Sequence, residues 1–196
     1  MEREKRRAVF LDRDGTINRE VGYLDQPSKV ELLPRSAKAI GSLNRAGFQV
    51  VVVTNQSGVA RGYFTEEMLT KVHQRLIKLL QEEGAHLNGI YYCPHHPEEG
   101  KPPYRKDCNC RKPKPGMLLE ASRDLNLDLS RSFMVSDKYS DLQMIHQLGV
   151  KGILVLTGFG EKELAQVVQQ GNPSPDYVAE DLEDAAQWII KVGAER

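Results

Sequence analysis

Two aspartates stand two residues apart in Asp12-Arg13-Asp14-Gly15-Thr16, directly after the apolar run Ala8 to Leu11. Side chains alternate along an extended chain, so both carboxylates face one way. That pair suits Mg²⁺, which takes one or two protein carboxylates and fills its octahedron with water and substrate phosphate. With the charge of the phosphate screened, Asp12 can attack phosphorus, while Asp14 protonates the leaving oxygen and later deprotonates water. Gly15 allows a sharp turn. Read alone, the four residues are equally compatible with an ordinary turn.

Three more groups complete the chemistry. Thr54-Asn55-Gln56-Ser57-Gly58 follows the apolar run Phe48 to Val53; a hydroxyl and main-chain amides there can hold phosphate oxygens, or simply make a turn. Arg111-Lys112, ahead of Pro113, offers a cation for the charge on a transferring phosphoryl group. Asp137, after Phe133 to Val135, is a further carboxylate for Mg²⁺, and Asp141 either orients it one helical turn on or caps its helix.

The three cysteines lie in Cys93-Pro94-His95-His96-Pro97 and Cys108-Asn109-Cys110. Three thiolates and an imidazole are the donors of a closed tetrahedral Zn²⁺ site. His95 mirrors the Cys-x-Cys spacing and is the expected fourth ligand, with His96 its competitor. Zinc here would give a coreless loop a fixed shape, so that Arg111 and Lys112 meet a substrate in one position.

These groups need elements to carry them. Ala8 to Leu11, Phe48 to Val53, Phe133 to Val135 and Ile153 to Leu156 read as strands buried on both faces, with Gly89 to Tyr92 another. Helical spacing appears at 35–46, 65–83, 116–125, 141–148, 161–169 and 182–192, with Thr65 placed to cap the second and Gly84 to end it. Alternating strands and helices predict a doubly wound, Rossmann-like α/β sheet, with ligands at the carboxyl ends of the strands. The chain reads as a single domain over 1–196, without room for a large cap. Its site is expected to be open, shaped by loops at 18–27, 55–64 and 93–112.

Lys plus Arg equals Asp plus Glu at 27 each, so no global field favours nucleic acid or a membrane surface. The mixed-charge run Met1 to Arg7 is no signal peptide, and the expectation is a cytoplasmic monomer. His73, His86, His146 and Trp188 lack reactive neighbours in sequence and read as ordinary core or surface groups.

The order Asp-x-Asp, Thr, Lys, Asp, each read as the end of a strand, resembles the haloacid dehalogenase superfamily of phosphatases. The resemblance implies Asp12 as nucleophile, Asp14 as acid and base, Thr54 and Lys112 as phosphoryl stabilisers, and Asp12, Asp14 and Asp137 around Mg²⁺. Within it, Phe10 to Asn18, Val53 to Gly62, Tyr91 to Pro97 and Cys110 to Pro113 are most similar to the family of heptose-bisphosphate phosphatases, which supply precursors of ADP- or GDP-heptose. That implies a sugar phosphate substrate contacted by Arg13, Glu20, Val21, Gly22, Tyr23, Asn55, Gln56, Ser57, Arg111 and Lys138. Histidinol-phosphate phosphatases, with a similar zinc loop, are the near alternative; a non-catalytic zinc-stabilised binding protein is the alternative of another class. Ser136 stands where the family usually has glycine, and a positive φ there would strain a serine.

Overall fold

The computed structural model describes residues 4–143 and 145–194; the first three residues of the charged N-terminal run and the side chain of His146 lie outside that description. Six strands form one parallel sheet: β1 (Ala8–Leu11), β2 (Gln49–Asn55), β3 (Gly89–Cys93), β4 (Phe133–Ser136), β5 (Lys151–Val155) and β6 (Tyr177–Ala179), in the order β3-β2-β1-β4-β5-β6. Six helices alternate with them: α1 (Ser36–Arg45), α2 (Glu66–Glu82), α3 (Gly116–Asp124), α4 (Tyr139–Gln143), α5 (Gly160–Gln170) and α6 (Leu182–Ala194).

The two-residue period of a strand sorts the apolar runs between two cores. Val9, Leu11, Val50, Val52, Phe133 and Val135 face one side, where α1, α2 and α6 bring Ile40, Leu43, Val72, Leu76 and Ile189. Ala8, Phe10, Val51, Val53 and Met134 face the other, against Met117, Leu118 and Ala121 of α3, Leu142 of α4 and Val167 of α5. Burial on both faces is why these runs lack polar alternation. The rim of the sheet is therefore fixed by two cores at once.

Local signals set the helix ends. The Thr65 hydroxyl accepts from the Met68 amide at 3.2 Å, with Glu66 and Glu67 in the first turn of α2. Gly84, just past that helix, has φ +74, a conformation glycine reaches without a Cβ penalty.

The expected helix over 141–148 is instead the short α4 followed by a 3-10 turn at His146–Leu148. The strand β6 had no counterpart in the sequence reading. It is a three-residue edge strand, too short to show a period. Between Cys93 and α3 no helix or strand forms, only an isolated bridge from His96 to Arg105. No cap domain stands over the strand ends among the described residues, and none of their helices is long and apolar enough to cross a membrane.

Candidate active site

Asp12 leaves β1 with its amide bonded to the Val135 carbonyl of β4 at 3.0 Å, so the middle of the sheet sets its position. Its Oδ1 accepts from the Arg13 amide at 2.8 Å and from Lys112 Nζ at 2.9 Å. Lys112 Nζ also donates to Asp141 Oδ2 at 2.6 Å. Burial opposes the charge on Lys112, but the two carboxylates outweigh it and hold the ammonium above its ordinary pKa. Burial pushes Asp12 up, against the pull of Lys112. Lys112 is not at a strand end, as the sequence reading had it. It lies beyond the whole Cys/His loop and is held by the Asn55 side chain, which donates to its carbonyl and accepts from its amide, both at 3.0 Å.

Asp14 is differently placed. Its carboxylate accepts from Arg13 at 2.8 Å, Asn18 at 2.9 Å and Gln56 at 3.0 Å. Burial alone would raise its pKa, yet the Arg13 charge and these hydrogen bonds bring it below the usual value. The expectation was of Asp12, Asp14 and Asp137 around one ion; the Asp14 carboxylate is turned onto Arg13, and among the described residues the one group of three or more side chains close enough to share a metal is the Cys/His cluster. The Arg13 side chain, expected at a substrate, is 1% exposed and paired with Asp14.

Asp137 directly follows β4 and is fully buried. Its Oδ2 accepts from the Phe159 amide at 2.9 Å, while its Oδ1 has no partner. Burial first, and the Asp12 charge second, push it up to about 7. Gly15 and Gly158, both at positive φ, wall it in: a Cβ on either would stand 2.1 or 2.2 Å from Oδ2. A buried carboxylate oxygen without a donor, beside a second carboxylate, is a fit for a hard cation.

Ser136 is ordinary strand, not among the residues at positive φ. Its hydroxyl donates to Asp141 Oδ2 at 2.8 Å. Asp141 therefore orients Lys112, not Asp137 as anticipated.

Asp12, Thr54, Asp141 and Lys112 line an inner cavity of about 80 Å³. Through Asp14, Asn55, Lys138 and Ser140 it continues into an outer cleft of about 350 Å³, which Glu20, Gly22, Tyr23, Gln56, Ser57 and Arg111 also line. Val21, 44% exposed, is not among the residues that line it. Lys138 Nζ lies 4.0 Å from Glu20 and over the Phe159 ring; burial weakens its charge, but Asp12, Asp137 and Glu20 raise its pKa. The sequence reading missed Asn18, Ser140 and Phe159. Asn18, four residues past Asp14, was within reach of it; Phe159 acts through its backbone amide, which no residue type reports.

Cys93, His95, Cys108 and Cys110 place one ligand atom each within 4.8 Å of all the others. The sulfurs are 3.2 to 3.5 Å apart, and His95 Nδ1 is 3.4 Å from Cys110 and 3.7 Å from Cys93. The edge of a tetrahedron with bonds near 2.3 Å is roughly 3.8 Å, so the cluster can close on a metal with small shifts. His96 is excluded as a ligand, since its Nδ1 accepts from the Glu98 and Glu99 amides and its Nε2 faces Arg61.

The HAD-hydrolase-like family matches residues 109–185. A D-glycero-beta-D-manno-heptose-1,7-bisphosphate 7-phosphatase from Pasteurella multocida is 42% identical over 94% of this chain and 97% of its own. A D-glycero-D-manno-heptose-1,7-bisphosphate 7-phosphatase from Thermosynechococcus vestitus is 45% identical over 94% and 95%. The crystal structure of D,D-heptose 1,7-bisphosphate phosphatase from B. bronchiseptica, complexed with magnesium and phosphate, aligns with a TM-score of 0.83 at 37% identity, covering 95% of this chain and 99% of that one. With this likeness spanning nearly the whole chain, and the aspartates, Lys112 and the Cys/His cluster gathered at the rim of the sheet, the chain belongs to the heptose-1,7-bisphosphate 7-phosphatase family of HAD-like hydrolases.

Proposed function

We propose that this chain hydrolyses the 7-phosphate of D-glycero-D-manno-heptose 1,7-bisphosphate, through an aspartyl-phosphate on Asp12, to give heptose 1-phosphate. The observation that carries it is Asp12 at the inner cavity with Lys112 at 2.9 Å. The Asp12 carboxylate attacks phosphorus in the first half-reaction, and water releases phosphate in the second. Lys112, pinned between Asp12 and Asp141, keeps its charge where the phosphoryl oxygens pass, and Thr54 lines the same cavity.

Asp14 handles the protons. In the substrate-free site Arg13 holds it as an anion, the form that takes a proton from the attacking water. A phosphate dianion entering the cavity raises its affinity for a proton, the proton that the departing sugar oxygen takes. Arg111 and Lys138 line the outer cleft and suit the second phosphate of a bisphosphate.

Asp12 and Asp137 would hold Mg²⁺, two carboxylates being the number it commonly takes. When bound, Mg²⁺ neutralises charge on the phosphoryl oxygens. Cys93, His95, Cys108 and Cys110 would hold a structural Zn²⁺. Thiols kept as ligands call for a reducing compartment, the cytoplasm.

The test is phosphate release from both anomers of the heptose bisphosphate and from histidinol phosphate, with Asp12→Asn alongside. Faster turnover of histidinol phosphate overturns the substrate. Equal activity of the variant overturns the nucleophile.

A further inference from the structure

Arg13 carries five N–H donors into a place where its side chain is 1% exposed. Nε and one terminal nitrogen face Asp14 at 3.1 and 2.8 Å, and that same terminal nitrogen reaches Gln56 Oε1 at 3.0 Å. The other terminal nitrogen lies 3.1 Å from His73 Nε2. A guanidinium only donates, so this ring nitrogen must carry a lone pair and His73 is neutral, protonated on Nδ1. His73 is itself buried on α2, under the tilted ring of Tyr92 at 5.6 Å between centroids. Of this arrangement Asp14 and Gln56 line the cleft, whereas Arg13 and His73 lie behind them.

We propose that His73 is a positioning residue for phosphoryl transfer: by accepting from Arg13 it sets the rotation of the guanidinium, and through it the aim of the Asp14 carboxylate. The planar fork makes the coupling stiff. Asp14 and Gln56 hold one side of the guanidinium and His73 the other. Without that acceptor, a buried donor is left unpaired, and the guanidinium turns to find one. The carboxylate bonded to its opposite edge turns with it. A misaim well under the width of a water molecule is enough to slow a proton transfer that needs hydrogen-bond distance.

This inference rests on the reading of Asp14 as the acid that protonates the leaving oxygen. The experiment compares kcat/KM for heptose bisphosphate, whose alkoxide leaving group needs that proton, with kcat/KM for p-nitrophenyl phosphate, whose phenolate does not. His73→Phe keeps a ring against Tyr92 but offers no acceptor; His73→Gln restores an oxygen near the place of Nε2. His73→Leu serves as a second non-acceptor should the first not fold. We expect His73→Phe to lose about tenfold on the heptose substrate and less than about twofold on p-nitrophenyl phosphate, a fraction of the ~10²–10⁴-fold a general acid supplies, with His73→Gln within about twofold on both.

Equal losses on both substrates, or His73→Gln behaving like His73→Phe, overturn the proposal. Asp14→Asn is run in parallel to separate the two ideas. If it shows the selective loss and His73→Phe does not, His73 has no positioning role while Asp14 keeps its own; if Asp14→Asn shows none, the acid assignment falls and takes the proposal with it.

Discussion

The rim of the sheet and the Cys/His loop deliver their side chains to the same ion pair by opposite means. Asp12 and Asp137 sit within one residue of β1 and β4, strands whose every residue is buried between two apolar layers. Lys112 comes from a stretch with no helix or strand, where Cys93, His95, Cys108 and Cys110 cluster and the paired hydrogen bonds from Asn55 hold the chain. A strand end inherits its rigidity from distant parts of the chain; the loop must supply its own. The two should therefore fail separately.

The hardest blow to the rim is Asp137→Asn. Activity should fall by about a thousandfold or more, since a site with one carboxylate loses its hold on Mg²⁺, and phosphate release will measure it. Thermal unfolding sharpens the point. Without divalent cations the variant should melt no lower than the parent, because the native carboxylate is buried with an unpaired oxygen. With Mg²⁺ only the parent should gain stability.

Cys110→Ser attacks the loop instead. We expect one bound zinc per parent chain by elemental analysis and a clear deficit in the variant, with activity down about 10- to 100-fold, the scale of lost ligand support. The Mg²⁺-dependent rise in melting temperature should survive. Its loss would show that rim and loop are one unit and not two.

The smallest effect concerns the network behind Asp14. Burial, then the Arg13 charge, lower His73 from 6.5 to about 3. A base with a depressed folded pKa contributes stability that is fully present above its unfolded pKa and is lost as pH falls through the window from about 6.5 to 3. Parent stability should thus fall more steeply than that of His73→Gln between pH 7 and 5, by at most about 1.4 kcal/mol per pH unit. Urea titrations at both pH values report the difference, and parallel slopes would mean that His73 is charged or exposed.

Much of this was legible in the chain. Runs such as Phe48 to Val53 could bury both faces only in a parallel sheet, and Cys93, His95, Cys108 and Cys110 carry their ligand chemistry in their spacing. Where reading failed, the missing information was long-range. Arg13 lies between two aspartates at a strand end and reads as a substrate contact, but His73 and Gln56 arrive from 60 and 43 residues away to enclose it. β6 is visible only from the partner it pairs with in β5.

The sequence by itself determined the alternation of elements, the residues available for phosphoryl transfer and the donor set for a metal loop, because periodicity and ligand type are local properties. Tertiary structure decided which way each carboxylate turns: Asp14 onto Arg13, Asp141 onto Lys112, Asp137 toward an unpaired space. Side-chain orientation is settled by whichever donors the fold brings near, and those come from segments far apart in the chain.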